Sequence, residues 1–303
     1  MTMLERLLTE QVNPASQHID ALPVLEAMRI INAEDKRVAE AVELVIPRIA
    51  EAVEGIAGRL ERGGRLFYIG AGTSGRLGVL DAAECRPTFN VPAEMVQGVI
   101  AGGEAALARA TEASEDDPAA GVSDLAARGF SGQDALVGIA ASGRTPYVLG
   151  ALAWARSIGA LTCGISCTPD SELAALVDIA ITPLTGPEII AGSTRMKAGT
   201  ATKLVLNMIS TGTMIRLGNV FGNLMVNVQP TNEKLRDRAR RIIAAAVPAP
   251  PERARELLEA SGGSVRVAIV MGRRGVDRET AERLLAAAGH RVSKALEMKA
   301  LNG

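Results

Sequence analysis

The stretch Tyr68-Ile-Gly-Ala-Gly-Thr-Ser-Gly-Arg-Leu-Gly-Val-Leu-Asp-Ala-Ala-Glu-Cys-Arg-Pro87 decides the fold. It continues an apolar run from Leu66 that predicts a buried strand, and the run ends in a glycine loop with two hydroxyls, Thr73 and Ser74. A helical pattern follows and places a carboxylate, Glu84, roughly two to three turns along. Backbone donors in a glycine loop and at a helix N-terminus bind anions. The stretch therefore predicts a phosphate site with chemistry nearby.

The composition favours a soluble cytoplasmic enzyme. The 303 residues are 48% hydrophobic but only 2% aromatic, so the core is expected to be aliphatic. A net charge of −1 gives no reason to expect nucleic acid or an anionic membrane as a partner. No apolar run approaches a membrane span, and the N-terminus lacks the features of a signal peptide. Three cysteines form no disulfide framework in a chain of this size.

Apolar patterns divide the chain into three predicted regions: 1–62, 63–228 and 229–303. The first is an arm followed by helices from Val24 through Leu60, with a break expected near residues 33–35. The second alternates short apolar runs with helical patterns, which predicts a three-layer α/β/α fold with a parallel sheet. Its predicted strands are Leu66–Ile69, Met95–Ile100, Ala135–Ile139, Leu161–Ile165 and Val177–Ile181, and a long helix follows from Met196 to about Leu217.

The third region is predicted as a small helical appendage. A helix is expected after Pro230, with Thr231 or Asn232 as its N-cap. Prolines at 248, 250 and 251 mark a linker, and residues from Glu252 to Gly303 predict three or four short helices.

The spacing Gly70-x-Gly72-x-x-Gly75 matches the dinucleotide fingerprint literally. A dinucleotide fold also needs an acidic residue at the end of its second strand, to hold the ribose. The nearest candidate, Glu94, comes before the predicted second strand. Loop hydroxyls instead suit a terminal phosphomonoester, whose oxygens accept several donors. We therefore favour a sugar phosphate over a dinucleotide.

A second stretch, Ala135-Leu-Val-Gly-Ile-Ala-Ala-Ser-Gly-Arg-Thr-Pro-Tyr147, repeats the order of strand, hydroxylated glycine loop and helix. One such loop alone could be an ordinary turn, but two make a shared site the better interpretation. Loops at the carboxyl ends of parallel strands converge on one crevice. Ser74, Ser142 and Thr145 are therefore expected to grip one phosphate, beside Gly72, Thr73 and Gly143 of the same loops.

Glu84 is the candidate general acid among the carboxylates. It follows an apolar segment close to the first loop, where partial burial would favour its protonated form. Asp81, one turn earlier, is interpreted as structural. His18 and His290 lie outside the predicted site, and Cys163 and Cys167 have no histidine at ligand spacing. No metal and no cofactor are expected.

Several blocks of the sequence resemble the N-acetylmuramic acid 6-phosphate etherases. They cover nearly the whole chain in order: Leu7–Ser16, Gly70–Gly78, Asp81–Cys85, Ile100–Gly103, Ser114–Asp116, Ala141–Tyr147, Gly192–Lys203, Gly218–Val228 and Asn232–Leu235. That family belongs to the sugar isomerase (SIS) superfamily and is related to the glucokinase regulatory protein. The resemblance implies an SIS fold, a homodimer, Glu84 as proton donor and Glu115 as the second catalytic carboxylate. Arg86 departs from the family's usual proline.

The block from Gly186 to Lys203 invites a role at the same site. The resemblance makes Glu188, Ser193 and Lys197 candidate substrate contacts, whereas a helix cap followed by a core helix is the simpler alternative. The implied reaction is a syn elimination that releases D-lactate from the sugar phosphate, followed by addition of water. A non-catalytic sugar-phosphate regulator and an aldose–ketose isomerase of the same fold remain alternatives.

Overall fold

The computed structural model describes residues 8–109, 114–228, 230 and 232–298. Leu7 and Thr231, named above, lie outside these ranges. The chain divides into two compact units, one of residues 1–84 with 93–213 and one of residues 85–92 with 214–303. The sheet and the helices before it therefore belong to the same unit. The sequence-based division at residues 62 and 228 stays a prediction.

A five-stranded parallel sheet forms the centre of the first unit. Its strands are β1 (Leu66–Gly70), β2 (Val96–Ile100), β3 (Ala135–Ile139), β4 (Leu161–Ile165) and β5 (Ile179–Ile181), in the order β2-β1-β3-β4-β5. Every residue of β1 and β3 is buried, as expected for central strands covered on both faces. The predicted α/β class and all five predicted strands are confirmed.

Helices cover both faces of the sheet. Their bounds are α1 (Val24–Glu43), α2 (Ile46–Glu61), α3 (Gly72–Phe89), α4 (Ala105–Ala108), α5 (Pro118–Ala126), α6 (Pro146–Ser157), α7 (Glu172–Leu176) and α8 (Lys197–Arg216). One hydrophobic core joins Phe67 and Leu136 of the sheet to Leu152 of α6. On the other face, Gly55 of α2 lies against Leu161 and Gly78 of α3 against Tyr68.

The chain reverses its direction of strand addition between β1 and β3. From β1 it moves outward to β2, and it then returns to place β3 on the other side of β1. Such a switch point opens a crevice at the carboxyl ends of the two strands, where open α/β sheets bind their ligands. Both glycine loops predicted from the sequence follow these two strands.

The predicted helix break at residues 33–35 is wrong, because α1 runs without interruption from Val24 to Glu43 and the chain turns only at Leu44 and Val45. Glu34 is not a solvated charge. It is buried, and its Oε2 accepts hydrogen bonds from Lys197 Nζ at 2.6 Å and from Asn13 Nδ2 at 2.9 Å. Pro47, in the first turn of α2, marks the actual break.

Helices α5 and α6 pack unusually closely through two glycines. A Cβ on Gly121 would lie 2.2 Å from the carbonyl oxygen of Tyr147, and one on Gly150 would lie 2.4 Å from that of Pro118. Tyr147 adds a hydrogen bond from its hydroxyl to Asp124 Oδ2 at 2.6 Å. Burial, and then this carboxylate, raise the pKa of the Tyr147 phenol. The contact fixes the segment before α5 relative to the start of α6.

The described part of the second unit is helical with one short hairpin. Its helices are α9 (Glu233–Ala246), α10 (Pro251–Ala260), α11 (Val265–Arg274), α12 (Arg278–Ala287) and α13 (Val292–Glu297), and its hairpin pairs β6 (Val220–Phe221) with β7 (Leu224–Met225). Asn232 is the N-cap of α9, since its side chain accepts from the amide of Leu235 at 2.9 Å. Three or four short helices were predicted after the prolines, and the described residues form four, α10 to α13, whereas the hairpin was not predicted.

We expect Gly121→Ala to lower the free energy of unfolding by about 1–3 kcal/mol, because the new methyl meets a backbone oxygen that cannot move alone. Urea unfolding followed by circular dichroism measures the loss. Gly58→Ala is the matched control. A Cβ there meets only the flexible guanidinium of Arg62, at 3.6 Å, so this helix should be unchanged or more stable by up to about 1 kcal/mol. Equal stability of Gly121→Ala and the wild type would contradict the close packing.

We expect Glu34→Gln to lower the free energy of unfolding by about 3 kcal/mol near neutral pH, since it leaves the buried ammonium of Lys197 without its carboxylate. Burial alone would raise the pKa of Glu34, but hydrogen bonds from Lys197, Asn13 and Arg37 lower it from 4.5 to about 2. A group with a lowered folded-state pKa stabilises above its unfolded pKa and loses that effect as the pH falls to the folded value.

The difference in the free energy of unfolding between the wild type and Glu34→Gln should therefore have its full size at pH 6 and be smaller at pH 3. Glu40→Gln, at an exposed carboxylate of the same helix, is the control and should show almost no difference at either pH. A difference of the same size at both values would mean that the Glu34 carboxylate does not carry the effect.

Candidate functional site

A cavity of about 210 Å³ lies at the carboxyl ends of β1 and β3. Its walls come from the first glycine loop, from the end of β3 with the second glycine loop, from Glu115, from the N-terminal arm and from the segment before α8 (residues 186–196). The lining residues are Thr9, Glu10, Ala71, Gly72, Thr73, Ser74, Glu115, Ile139, Ala140, Ala141, Ser142, Thr145, Gly192 and Thr194. Its place at the switch point agrees with the expectation that the two loops converge.

The first glycine loop is one residue long, since β1 ends at Gly70 and α3 begins at Gly72. A Cβ on Gly70 would lie 2.7 Å from the amide nitrogen of Gly75, and one on Gly75 would lie 2.6 Å from the carbonyl oxygen of Gly70. Gly72 has a φ of +51°, which disfavours any side chain. These contacts bring the first amides of α3 and the hydroxyls of Thr73 and Ser74 to the cavity, where a helix N-terminus favours an anion.

The second glycine loop supplies Ser142 and Thr145. Its shape depends on Gly143, which has a φ of +68° and whose carbonyl accepts from the amide of Leu173 at 3.0 Å. Thr145 is the N-cap of α6, yet among the residues described its side chain makes no capping hydrogen bond. Its hydroxyl therefore does not bind the first amides of α6. Ser74, Ser142 and Thr145 line one cavity, as the sequence predicted, while Gly143 supports the loop from behind.

Glu115 joins the two loops. Its carbonyl oxygen accepts from the amide of Tyr147, in the first turn of α6, at 3.0 Å. Its carboxylate reaches the other loop, because a Cβ on Gly72 would lie 3.3 Å from Glu115 Oε1. The close packing of α5 on α6 holds this segment in place. The structure thus brings Glu115 to the candidate anion site.

The N-terminal arm also reaches the cavity, and this contact was not predicted from the sequence. The carbonyl of Thr9 accepts from the amide of Gly192 at 3.0 Å, and Ser16 Oγ donates to the carbonyl of Ile189 at 2.6 Å. Asn13 Nδ2 donates to the carbonyl of Pro187 at 3.1 Å. Thr9 and Glu10 belong to the first block of the family resemblance, and that block was the available signal for them.

Glu84 does not line the cavity of its own chain. It lies twelve residues beyond Gly72 in α3, which places it about 18 Å along the helix axis. Its side chain is exposed, so the partial burial expected from the sequence is not found. Asp81 has the predicted structural role, because its Oδ1 accepts from Asn207 Nδ2 at 2.7 Å and Ser210 Oγ at 3.1 Å.

Glu188 and Lys197 are buried beneath the segment before α8. The Glu188 carboxylate accepts from the amides of Lys197 and Ala198, both at 2.9 Å, and so caps α8. Burial raises the pKa of Glu188, although the two amides favour its ionised form. Lys197 Nζ binds Glu34 and the carbonyl of Pro187. Ser193 lies between two cavity residues, Gly192 and Thr194. Contacts of these three residues with a substrate stay a prediction.

Comparison with known proteins identifies the family. A family model described as the glucokinase regulatory protein N-terminal SIS domain matches residues 48–156. An N-acetylmuramic acid 6-phosphate etherase from Caldanaerobacter subterraneus subsp. tengcongensis is 50% identical over 298 residues, covering 98% of this chain and 97% of that protein. An etherase of the same name from Rhodopirellula baltica is 54% identical over 285 residues and 94% of each chain.

A solved structure supports the fold. A Bacteroides fragilis protein assigned as a phosphosugar isomerase involved in capsule formation matches with a TM-score of 0.50 and 20% identity, over 66% of this chain and 95% of that one. At 20% sequence identity the match is evidence for the fold alone, and that fold is the predicted one. The family resemblance stated from the sequence is confirmed by the full-length relatives. This chain belongs to the N-acetylmuramic acid 6-phosphate etherases, an enzyme family built on the SIS fold.

Proposed function

We propose that this enzyme cleaves the D-lactyl ether of N-acetylmuramic acid 6-phosphate, giving N-acetylglucosamine 6-phosphate and D-lactate in the recycling of cell-wall amino sugars. The observation that carries the proposal is the position of Glu115, whose carboxylate lies beside Gly72 at the N-terminus of α3. An acid–base group therefore stands next to the place where a phosphate would bind. We also propose that the enzyme acts in the cytoplasm, the location that its composition favours.

The phosphate would sit in the part of the cavity formed by the two glycine loops. The hydroxyls of Thr73, Ser74, Ser142 and Thr145 can donate to its oxygens, and the first amides of α3 add the positive end of a long helix. Ser193 would approach the sugar from the segment before α8. Glu188 and Lys197 would act beneath the site, by holding the start of α8. Such anchoring supports catalysis because it fixes the reacting carbons beside the carboxylates.

The chemistry follows from the open-chain form of the sugar. Its aldehyde at carbon 1 acidifies the proton on carbon 2 and makes the oxygen on carbon 3 a β leaving group. Glu115 would act as the base that removes the carbon-2 proton, and Glu84 as the acid that protonates the departing lactyl oxygen. Water would then add to the unsaturated aldehyde by the reverse steps. Each proton transfer contributes about 10²–10⁴ to the rate.

Glu84 would have to come from a second copy of the chain, because it lies about 18 Å along α3 from the loop that it should serve. Two copies packed antiparallel on the α3 face would resolve this. If the two-fold axis crosses α3 midway between Gly72 and Glu84, the Glu84 of each copy stands over the Gly72 of the other. Such an isologous contact completes two sites at once.

The surface around Glu84 supports this arrangement. Leu80, one turn before it on the same face of α3, is 56% exposed. Helix α8 runs alongside, joined to α3 by the hydrogen bonds of Asp81, and its Met208 is 40% exposed. Exposed apolar side chains around a functional carboxylate are typical of an interface that buries them. We therefore propose a homodimer through α3 and α8.

A coupled assay for D-lactate tests the function directly. The purified enzyme should release one D-lactate for each N-acetylmuramic acid 6-phosphate consumed. A regulator of the same fold would bind the sugar phosphate without turnover, and an isomerase would convert a hexose phosphate without forming lactate. Either result would overturn the proposed function.

Mixing two inactive variants tests the sharing of the site. Glu84→Gln and Glu115→Gln should each lower the rate by at least about 10²-fold. When the two are co-expressed, a mixed dimer contains one site with both glutamates intact if Glu84 acts across the interface. Random pairing should then restore about one quarter of the wild-type rate.

The same mixture gives no recovery if Glu84 serves its own chain, because every site then carries one substitution. Wild-type enzyme co-expressed with inactive Glu115→Gln is the control for expression and pairing. Absence of recovery despite a demonstrated mixed dimer would contradict the proposed contribution of Glu84.

A further inference from the structure

The cavity contains a second carboxylate of the same chain, to which the proposed reaction gives no role. Glu10 lines the cavity together with Glu115. Its Oε1 accepts from Thr9 Oγ1 at 3.4 Å, and a Cβ on Gly192 would lie 3.2 Å from its Oε2. Gly192 has a φ of +77°, a backbone conformation that favours glycine. The absence of a side chain there also leaves space for the Glu10 carboxylate.

The position of Glu10 is set by the anchoring of the arm. Three hydrogen bonds, from Gly192 to Thr9, from Asn13 to Pro187 and from Ser16 to Ile189, join the arm to the segment before α8. Asn13 also donates to the buried Glu34. These contacts link Glu10 to the buried Glu34–Lys197 pair, which gives this exposed side chain a defined place on the cavity wall.

The charges of the cavity restrict what Glu10 can bind. Among the lining residues that the structure describes, Glu10 and Glu115 are the charged ones, and both are acidic. A carboxylate repels a phosphate dianion, so Glu10 is not a phosphate ligand. An ionised carboxylate only accepts hydrogen bonds, and its partners must be donors. The uncharged part of a sugar phosphate offers such donors, in its hydroxyls and its amide N–H.

We propose that Glu10 binds the uncharged end of the sugar phosphate, accepting hydrogen bonds from its hydroxyl or amide groups. This inference rests on the proposed function for the class of ligand. It gives the cavity two ends of opposite character, with hydroxyl and amide donors for the phosphate in the glycine loops and an acceptor for the sugar on the arm. Glu10 is then a specificity-determining residue, distinct from the two glutamates that move protons.

Isothermal titration of two probes tests the role of Glu10 without relying on turnover. The probes are N-acetylglucosamine 6-phosphate, which has the sugar donors, and inorganic phosphate, which does not. Glu10→Gln should weaken binding of the sugar phosphate by about tenfold, and Glu10→Ala should weaken it further, because hydrogen bonds to a charged acceptor are lost. Binding of inorganic phosphate should be unchanged or tighter, because a repelling charge is removed.

Asp20→Asn is the matched control, since it removes an exposed carboxylate of the same arm away from the cavity. It should change neither affinity. Equal weakening of both probes by Glu10→Gln would show that the arm has shifted, and unchanged binding of the sugar phosphate would show no contact; either result overturns the inference. In D-lactate assays Glu10→Gln should raise KM more than it lowers kcat. A lowered kcat with unchanged KM would also overturn it.

The outcomes separate this inference from the proposed function. A wild-type protein that binds N-acetylglucosamine 6-phosphate but releases no D-lactate would contradict the proposed function. The comparison of wild-type and Glu10→Gln affinities would still test the role of Glu10. A wild-type protein that releases D-lactate, with affinities unaffected by Glu10→Gln, would end the inference alone.

Discussion

The backbone contact between Gly70 and Gly75 is the constraint on which the site depends. The end of β1 and the first turn of α3 are in direct contact. A methyl group on either glycine would lie within 3 Å of backbone atoms of the other glycine. Because the connection from β1 to α3 is so short, the first amides of α3 lie at the carboxyl edge of the sheet. Gly72 then leaves room for the Glu115 carboxylate. An anion site and an acid–base group are neighbours for this steric reason.

Three helices begin around the site, and their N-termini are used differently. In α3 the first residues line the cavity, where their amides favour an anion. In α6 the amide of Tyr147 is occupied by the carbonyl of Glu115, so this helix positions a side chain. In α8 the first two amides are capped by the buried Glu188. The amides that we propose for the phosphate are therefore those of α3, whereas the loop before α6 contributes the hydroxyls of Ser142 and Thr145.

Local patterns predicted much of this fold. The strands were recognised because β1 to β5 are short apolar runs between helical patterns, and each run reflects burial of neighbouring residues on both faces of the sheet. Both glycine loops were recognised because hydroxyls and glycines directly follow a strand. The break predicted near residues 33–35 was wrong, since Glu34 is held by Lys197, which is 163 positions away and leaves no local signal.

The sequence by itself determined the fold class, the two loops that meet at the switch point and the family, because these depend on residue order and short-range periodicity. The tertiary structure alone decided which side chains share a cavity. It brought Glu10 and Glu115 together through the anchored arm and the α5–α6 contact. It placed Glu84 about 18 Å from Gly72 along the axis of α3. Helical spacing predicts which residues lie on one face of a helix. Only the packing of distant segments decides what that face meets.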